Sequence, residues 1–473
     1  MARSILPFLG LVLAATLASE RSAEASGYLT ARYGTEHGTP ATPNTFAIYY
    51  NPAALGGTEG TTLTGDIAAA VRWAHYQRGE NALSPSQNQK DALLADQKYV
   101  DANTGNANLV DVLALPFLGV NTDFGTKNIR AGYAFYIPFG GASKWDKRPE
   151  IAGVPGAQDG VQRWHNISGE ILAVYNTFAF AYRFGDSGFS AGLSLSPIIH
   201  HVETVRARTA DDSDDIYRES DGSLKEGRSY LEATGVNLGG SIGVYWEGLE
   251  DQRLKVGLAY LAQPGFGETR MKGTLNGHTG TNDVRQDIDF LQSYPDVFRL
   301  GGKYRLPGDV IELRTDIEFV RWSTFKRQCV VLRGAKCNVE PDGSPSQGNK
   351  DIVINIPRDW NNAIGWRVGV GWYATKELEI FGGTAIDTSA VPKETIDAST
   401  IDSFRIFGTV GARYVFSRHF ALAGSYNHIY YLPVDTGDRN IFDKQLSPSH
   451  SPSADGKYYS QIGFLNVNAS YTF

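Results

Sequence analysis

Cysteine is nearly absent. Two in 473 residues exclude a disulfide-dense scaffold and any four-cysteine metal site. No Lys/Arg-rich run interrupts the chain, and 51 acidic against 44 basic side chains leave a net charge of −7. A nucleic-acid partner therefore has no electrostatic footprint. After the first residues, no uninterrupted apolar segment approaches the ~20 residues that a spanning helix needs, which excludes a helical membrane bundle. Catalytic signatures are missing too: there is no Gly-x-Ser-x-Gly elbow, no Walker phosphate loop and no His-Glu-x-x-His. Neither enzymatic activity nor a cofactor is expected, although a hydrolase with Ser and His on facing strands would leave no linear motif.

What is abundant points to a wall of strands. The chain is long enough for two to four ordinary domains or one large barrel. With 42% hydrophobic and 20% charged residues it is not a disordered polyelectrolyte. Glycine stands at 52 residues, about 11% against a usual ~7%. Tyr, Phe and Trp supply a 12% aromatic share.

The amino terminus reads as an export signal. Arg3 precedes an apolar stretch from Ile5 to Ala18, and Ala23-Glu24-Ala25 fits a small-x-small cleavage site, so 1–25 is expected to be a signal peptide and Ser26 the first mature residue. Those 14 apolar residues fall short of a spanning helix. No cysteine lies near the site, which excludes a lipoprotein anchor.

From about residue 60 the pattern has period two. Leu465, Val467, Ala469, Tyr471 and Phe473 alternate with Asn466, Asn468 and Ser470. Ile311, Leu313, Ile317 and Phe319 alternate with Glu312, Arg314, Asp316 and Glu318, charges that a strand gathers on one side and a helix would scatter. The alternation and its breakers predict fourteen strands: 61–78, 108–122, 127–139, 167–184, 188–204, 229–247, 252–264, 283–305, 309–325, 361–374, 377–386, 401–416, 419–432 and 459–473. Short connections alternate with long ones at 79–107, 140–166, 205–228, 265–282, 326–360, 387–400 and 433–458. That rhythm belongs to an even-numbered all-β transmembrane antiparallel barrel with tight periplasmic turns and long outside loops. The chain ends in Tyr471-Thr472-Phe473, like the closing strand of bacterial outer-membrane proteins.

Residues 26–60 do not alternate and contain Asn51-Pro52-Ala53. This segment resembles the hatch of the OmpP1/FadL/TodX family of outer-membrane transporters for long-chain fatty acids and aromatic hydrocarbons. Three further stretches are similar to that family. They are Ala131–Gly141, ending Ile137-Pro138-Phe139-Gly140; Glu318–Phe325, with Arg321-Trp322-Ser323; and Pro357–Pro392, with Asp359-Trp360, Arg367-Val368-Gly369, Tyr373 and Asp387 through Pro392. The resemblance implies a fourteen-stranded monomeric barrel over 61–473 in the outer membrane of a Gram-negative bacterium, closed by the hatch at 26–60. It also implies gating around Asn51, Pro52 and Ala53, and lateral release through a kinked third strand near Arg130, Pro138, Phe139 and Gly140. The partners it implies are a hydrophobic small molecule, outer-membrane lipid and lipopolysaccharide, and the barrel-assembly machinery. No carboxylate-binding residue is assigned, and fatty acid is not distinguished from aromatic hydrocarbon. A nonspecific porin and an adhesive or structural barrel are the competing functions.

Three smaller expectations complete the reading. His200-His201-x-Glu203 sits at a strand end, and neighbours on a strand face opposite ways, so a rim position is expected and no metal site. Asp211, Asp212, Asp214 and Asp215 read as a hydrated patch in an outside loop, with divalent-cation bridging to lipopolysaccharide as the alternative. Cys329 and Cys337 are expected to form a disulfide that shapes the tip of loop 326–360, because both reach an oxidising compartment.

Overall fold

The computed structural model describes residues 38–216, 222–248, 252–279, 282–347 and 349–473. The expected signal peptide, 1–25, lies outside the described residues.

Fourteen antiparallel strands close a barrel. They are β1 (Thr61–Arg78), β2 (Gly105–Thr122), β3 (Ile129–Lys144), β4 (Ser168–Arg183), β5 (Phe189–Arg208), β6 (Gly227–Gly248), β7 (Leu254–Leu261 and Glu268–Thr279), β8 (Asn282–Ser293 and Val297–Arg305), β9 (Ile311–Val320 and Arg327–Leu332), β10 (Ile352–Pro357 and Ala363–Tyr373), β11 (Leu378–Asp387), β12 (Arg405–Val415), β13 (Phe420–Tyr431) and β14 (Lys457–Thr472). Each pairs with the next, and β1 pairs with β14 from Thr62↔Thr472 to Gln77↔Lys457. The seam is therefore paired over sixteen residues and leaves no open edge where the barrel closes.

The faces are inverted relative to a soluble sheet. Leu313 and Ile317 point outward and stand nearly half exposed, while Glu312, Arg314, Asp316 and Glu318 between them are buried inside. Ile364, Trp366, Val368, Val370 and Trp372 of β10 repeat the outward apolar row. Lipid is the solvent that makes this arrangement stable.

The strand count matches the periodicity, but two loop boundaries do not. Segment 265–282, expected as a long connection, is mostly wall. β7 breaks at Pro264–Phe266, where Pro264 has no N–H and Gly265 takes φ +70°, then resumes and pairs with both β6 and β8. Loop 326–360 likewise contains the outer halves of β9 and β10, which pair from Arg327↔Pro357 onward. Breaks in β7, β8, β9 and β10 all fall above one rung, because Val297 pairs with both Leu261 and Val320, and Val320 with Ala363. Periodicity reads the breaks in β7, β9 and β10 as strand ends, since the alternation restarts in a new phase beyond them, whereas the expected strand 283–305 runs through the break in β8.

The acidic group is no hydrated patch. Asp214 is buried against Arg78 (2.7 Å) and Tyr99, Asp215 and Asp211 hold Lys225 at 2.7 and 3.0 Å, and Asp212 pairs with Arg208. Among the described residues no cluster of His, Cys, Asp and Glu could hold a metal. These carboxylates cross-link the outer loops instead. Burial raises the Asp211 carboxyl, but hydrogen bonds from Ser213 and Lys225 outweigh it and bring it down to about 2. Because the folded value lies below the ordinary one, this stabilisation is complete above about pH 4 and is lost as pH falls toward 2. Hydrogen exchange, corrected for its intrinsic rate, should show Thr209–Ile216 opening between pH 5 and 2 while the wall stays protected. Equal protection throughout would count against the cross-link.

Candidate functional site: a plugged lumen with a gap in its wall

Pro52 and Asn51 determine the shape of the segment inside the barrel. Pro52 begins a short 3-10 turn, Pro52–Gly57, at the position where a missing N–H does no harm. The residue before it, Asn51, is extended and ends the single helical turn Ala47–Tyr50. The Asn51 amide is wholly buried: Nδ2 donates to the carbonyls of Pro40 (2.8 Å) and Val244 of β6 (3.0 Å), and Oδ1 accepts from the Ala53 N–H (3.1 Å). A Cβ on Gly192 would overlap the backbone at Ala53, and one on Gly257 the carbonyl of Pro40, so these strands lack side chains where the insert lies against them.

Residues 38–60 are tied to much of the inner wall. Thr45 Oγ1 donates to Asn121 Oδ1 of β2 (2.7 Å), Arg183 of β4 donates to Gly56 O (3.1 Å), and Gly60 N–H donates to Asp123 in the first periplasmic turn (2.8 Å). Arg299 of β8 donates to both the carbonyl and the hydroxyl of Tyr49 (3.0 and 2.8 Å) and is itself held by Glu318 (2.6 Å). Lys303–Glu312, Arg314–Glu312, Arg367–Asp316 and Arg405–Asp387 extend this ion-pair ladder across the inner faces of β8–β12. On the periplasmic side of the insert is a cavity of about 490 Å³, lined by polar groups that include Thr42, Glu59, Lys303, Arg314 and Asn468.

On the other side the lumen is filled with aromatic rings. Tyr136 packs on Tyr49 and Tyr175 (5.1 and 5.5 Å), and Phe139 on Tyr175, Tyr294 and Trp322 (6.2, 5.5 and 6.4 Å). Trp322 and Trp360, from two separate sequence motifs, meet at 4.8 Å with Phe325 beside them. The strand breaks deliver these rings, because irregular backbone turns Tyr294, Trp322 and Trp360 inward above the common rung. His200 belongs to the same layer: it is wholly buried, its ring 5.0 Å from Tyr294, so its expected rim position is wrong. The strand runs eight residues beyond it, to Arg208.

Beyond the rings lies an apolar cavity of about 60 Å³, bordered by Ile171, Val202, Leu231, Leu275, Phe290 and Ile354. Two guanidinium groups also border it. Arg358 is paired with Asp397 (2.8 Å) and Gln328, whereas Arg206 has neither hydrogen bond nor ion pair among the described residues. Ser229 and Leu275 also border an adjoining cleft of about 210 Å³ that carries Arg208 and Arg228. Arg206 gave no signal in the sequence, since nothing there separates an unpaired inward arginine from the paired ones around it.

The wall is incomplete at one place. β2 and β3 pair only from Phe117↔Tyr136 to Thr122↔Ala131, and among the described residues they share no register beyond that point. The cause is an extra residue at Ile137-Pro138, which shifts the β3–β4 register between Tyr136 and Phe139. Pro138 brings no N–H to the ladder. Phe139 and Gly140 are buried at the gap, and Ile137 packs toward the cluster of Ala70, Leu113 and Phe407. Arg130 is not part of the gap. It lies seven residues away, roughly 23 Å along an extended strand, in paired backbone, and donates to the carbonyl of Thr58 at the end of the insert (2.7 Å).

Cys329 and Cys337 are joined. Cys329 is a buried wall residue of β9, packed with Leu291 and Ile352, so the bridge fastens the following loop to the wall and does not form an isolated tip.

A family model described as outer membrane protein transport protein (OMPP1/FadL/TodX) matches residues 14–473. The chain belongs to this family. It is thus an outer-membrane β-barrel of a Gram-negative bacterium, in a family of transporters of hydrophobic compounds. Similar solved structures include a Pseudomonas aeruginosa FadL homologue, at 15% identity over 96% of this chain and 98% of that one, with a TM-score of 0.70. The toluene transporter TodX of P. putida matches at 13% identity over 95% and 99%, with a TM-score of 0.63. The Ralstonia pickettii toluene transporter TbuX matches at 12% over 91% and 94%, with 0.59. No curated protein sequence matches the chain.

Replacing Asn51 with Ala leaves buried backbone groups without partners, at about 1–3 kcal/mol for each. The barrel should still assemble and remain heat-modifiable, because the insert contributes no wall strand. Protease cleavage within residues 38–60 should rise at least tenfold. An unchanged cleavage rate would show that Asn51 does not hold the segment.

Proposed function

We propose that this protein carries hydrophobic small molecules, long-chain fatty acids or aromatic hydrocarbons, passively across the outer membrane, and that it is a monomeric transporter and not an enzyme. The expected barrel-assembly machinery and lipopolysaccharide remain part of this proposal as its assembly and membrane partners. The observation that carries the reading is the gap between β2 and β3 beside a plugged lumen. A straight path to the periplasm leads into a cavity of charged and hydroxylated groups. There an alkyl chain would lose roughly 0.8 kcal/mol per CH₂ of transfer energy. A sideways path past Ile137 and Phe139 keeps it in apolar surroundings. In this reading cargo settles in the outer cavity, the insert at Asn51-Pro52-Ala53 loosens, the aromatic rings part, and cargo leaves through the wall.

The gap can be tested directly. Deleting Pro138 removes the extra residue and lets β3 run in step with β4. Uptake of labelled fatty acid and of toluene should fall at least tenfold in cells with matched amounts of heat-modifiable barrel. Asn51→Ala and Pro52→Gly should also impair it. Normal uptake by the deletion variant would overturn the lateral path, and free passage of sugars in liposome swelling would favour an open porin. A variant that adheres but transports nothing in its natural form would favour the adhesive barrel.

A further inference from the structure

The polar cavity beneath the insert has two unlike walls. It measures about 490 Å³ and lies at the periplasmic end of the lumen, beside the exposed Glu59. One arc, from β7 to β12, is cationic: Lys255, Lys303, Arg305, Arg314 and Arg413 border the cavity there. The carboxylates on that arc are fewer, Glu312 and Glu379. Glu312 is shared by three of the cations, at 2.9 Å from Lys303 Nζ, 3.4 Å from Arg305 Nε and 2.6 Å from Arg314 Nε. Lys255 reaches Glu247 at 3.8 Å, a carboxylate already held by Arg183 and Tyr245. A lysine has three donors and an arginine five, so carboxylates shared in this way leave donors to spare.

A second, independent observation lies across the cavity, where β14, β1 and β2 present Asn468, Thr472, Thr64 and Asn121. Both asparagines are buried, and the Nδ2 of each has no acceptor among the described residues. Buried amide donors are nearly always paired. The two walls therefore lack the same thing, oxygen acceptors, and they lack it on opposite sides of one space. A compact inorganic anion would satisfy the cationic arc and leave the far amides unmet. A ligand with an anionic end and a hydroxyl-bearing body would satisfy both. It would come from solution, because β1 is paired with both of its neighbours from Thr62 to Gln77 and gives a lipid head group no way in on that side.

We propose that this cavity binds a small soluble phosphate ester of a polyhydroxy compound, a sugar phosphate in chemical class, taken from the periplasm. The phosphate lies against Lys255, Lys303, Arg305 and Arg314, whose forked and ammonium donors suit its oxygens. The hydroxylated body accepts from Asn121 and Asn468. Thr42, Asn44 and Thr58 of the insert form the remaining side of the cavity, so an occupied site bridges insert and wall and holds the insert seated by mass action.

The test uses the full chain in detergent, with glucose 6-phosphate, inorganic phosphate, glucose and short-chain phosphatidylglycerol as probes. Glucose 6-phosphate should bind saturably in calorimetry, at least tenfold more tightly than inorganic phosphate or glucose, and should slow protease cleavage within residues 38–60 several-fold. Lys255→Gln combined with Arg305→Gln should weaken that binding at least tenfold. Both side chains are partly exposed, so the barrel should stay heat-modifiable. Asn468→Ala removes an unpaired amide N–H, so thermal stability should hold or rise while the preference for glucose 6-phosphate over inorganic phosphate falls several-fold. A structural role alone would lower stability and leave that preference unchanged. No saturable binding of glucose 6-phosphate, or binding that none of these variants weakens, would overturn the site. Equally tight binding of inorganic phosphate would overturn the polyhydroxy ligand, and displacement by phosphatidylglycerol would overturn the soluble source. Uptake of fatty acid and toluene is measured separately, so the transport reading does not stand or fall with this site.

Discussion

A peptide group in hydrocarbon has no water to bond with, so each backbone N–H and C=O of a membrane wall must find its partner on the next strand. Everything else in this barrel depends on that constraint. It requires β1 to meet β14 along sixteen residue pairs, and it makes the chain long and rhythmic. It also gives meaning to the one place where it is relaxed. Between β2 and β3 the ladder stops at Phe117↔Tyr136, and the extra residue that stops it carries a proline. A proline there brings one fewer group that needs a partner, so the gap is made of the residue best suited to it.

The interior is divided by the same economy of partners. Ion pairs on β8–β12 face one side of the insert, and Arg299 reaches from that ladder to Tyr49. On the neighbouring strands β5 and β7, glycines let backbone lie on backbone. The insert is therefore held both by directional bonds, from β2, β4, β6 and β8, and by close packing on β5 and β7. Directional bonds can be exchanged for others at modest net change, whereas close packing is all or nothing. A segment that must stay put and still be released is well served by the mixture.

The broken rung above the insert has a structural consequence that a continuous wall would not have. A regular strand can aim only alternate residues inward, at fixed height. By interrupting four neighbouring strands at one level, the fold brings Tyr294, Trp322 and Trp360 into the lumen to meet Phe139. The breaks and the third-strand bulge thus meet in one aromatic layer, and that layer separates the outer cavity from the gap.

Periodicity alone determined the strand count, the direction of the loops and the barrel class, because a strand in lipid must alternate and a barrel must close. Resemblance to the family, carried by short motifs, pointed to the insert at Asn51-Pro52-Ala53 and to a kinked third strand near Pro138. Tertiary structure decided the rest. Segment 265–282 reads as a loop because a kink resets the phase of alternation, and only its pairing with β6 and β8 reveals it as wall. Arg130 stands close to Pro138 in sequence, yet it serves the end of the insert, because an extended chain covers about 26 Å in eight residues. The four aspartates resemble a hydrated patch until Arg78, Arg208 and Lys225 are folded onto them. Arg206 is indistinguishable from Arg208 in the sequence. Whether an arginine is paired depends on what the other strands bring to it, and that is a property of the closed barrel alone.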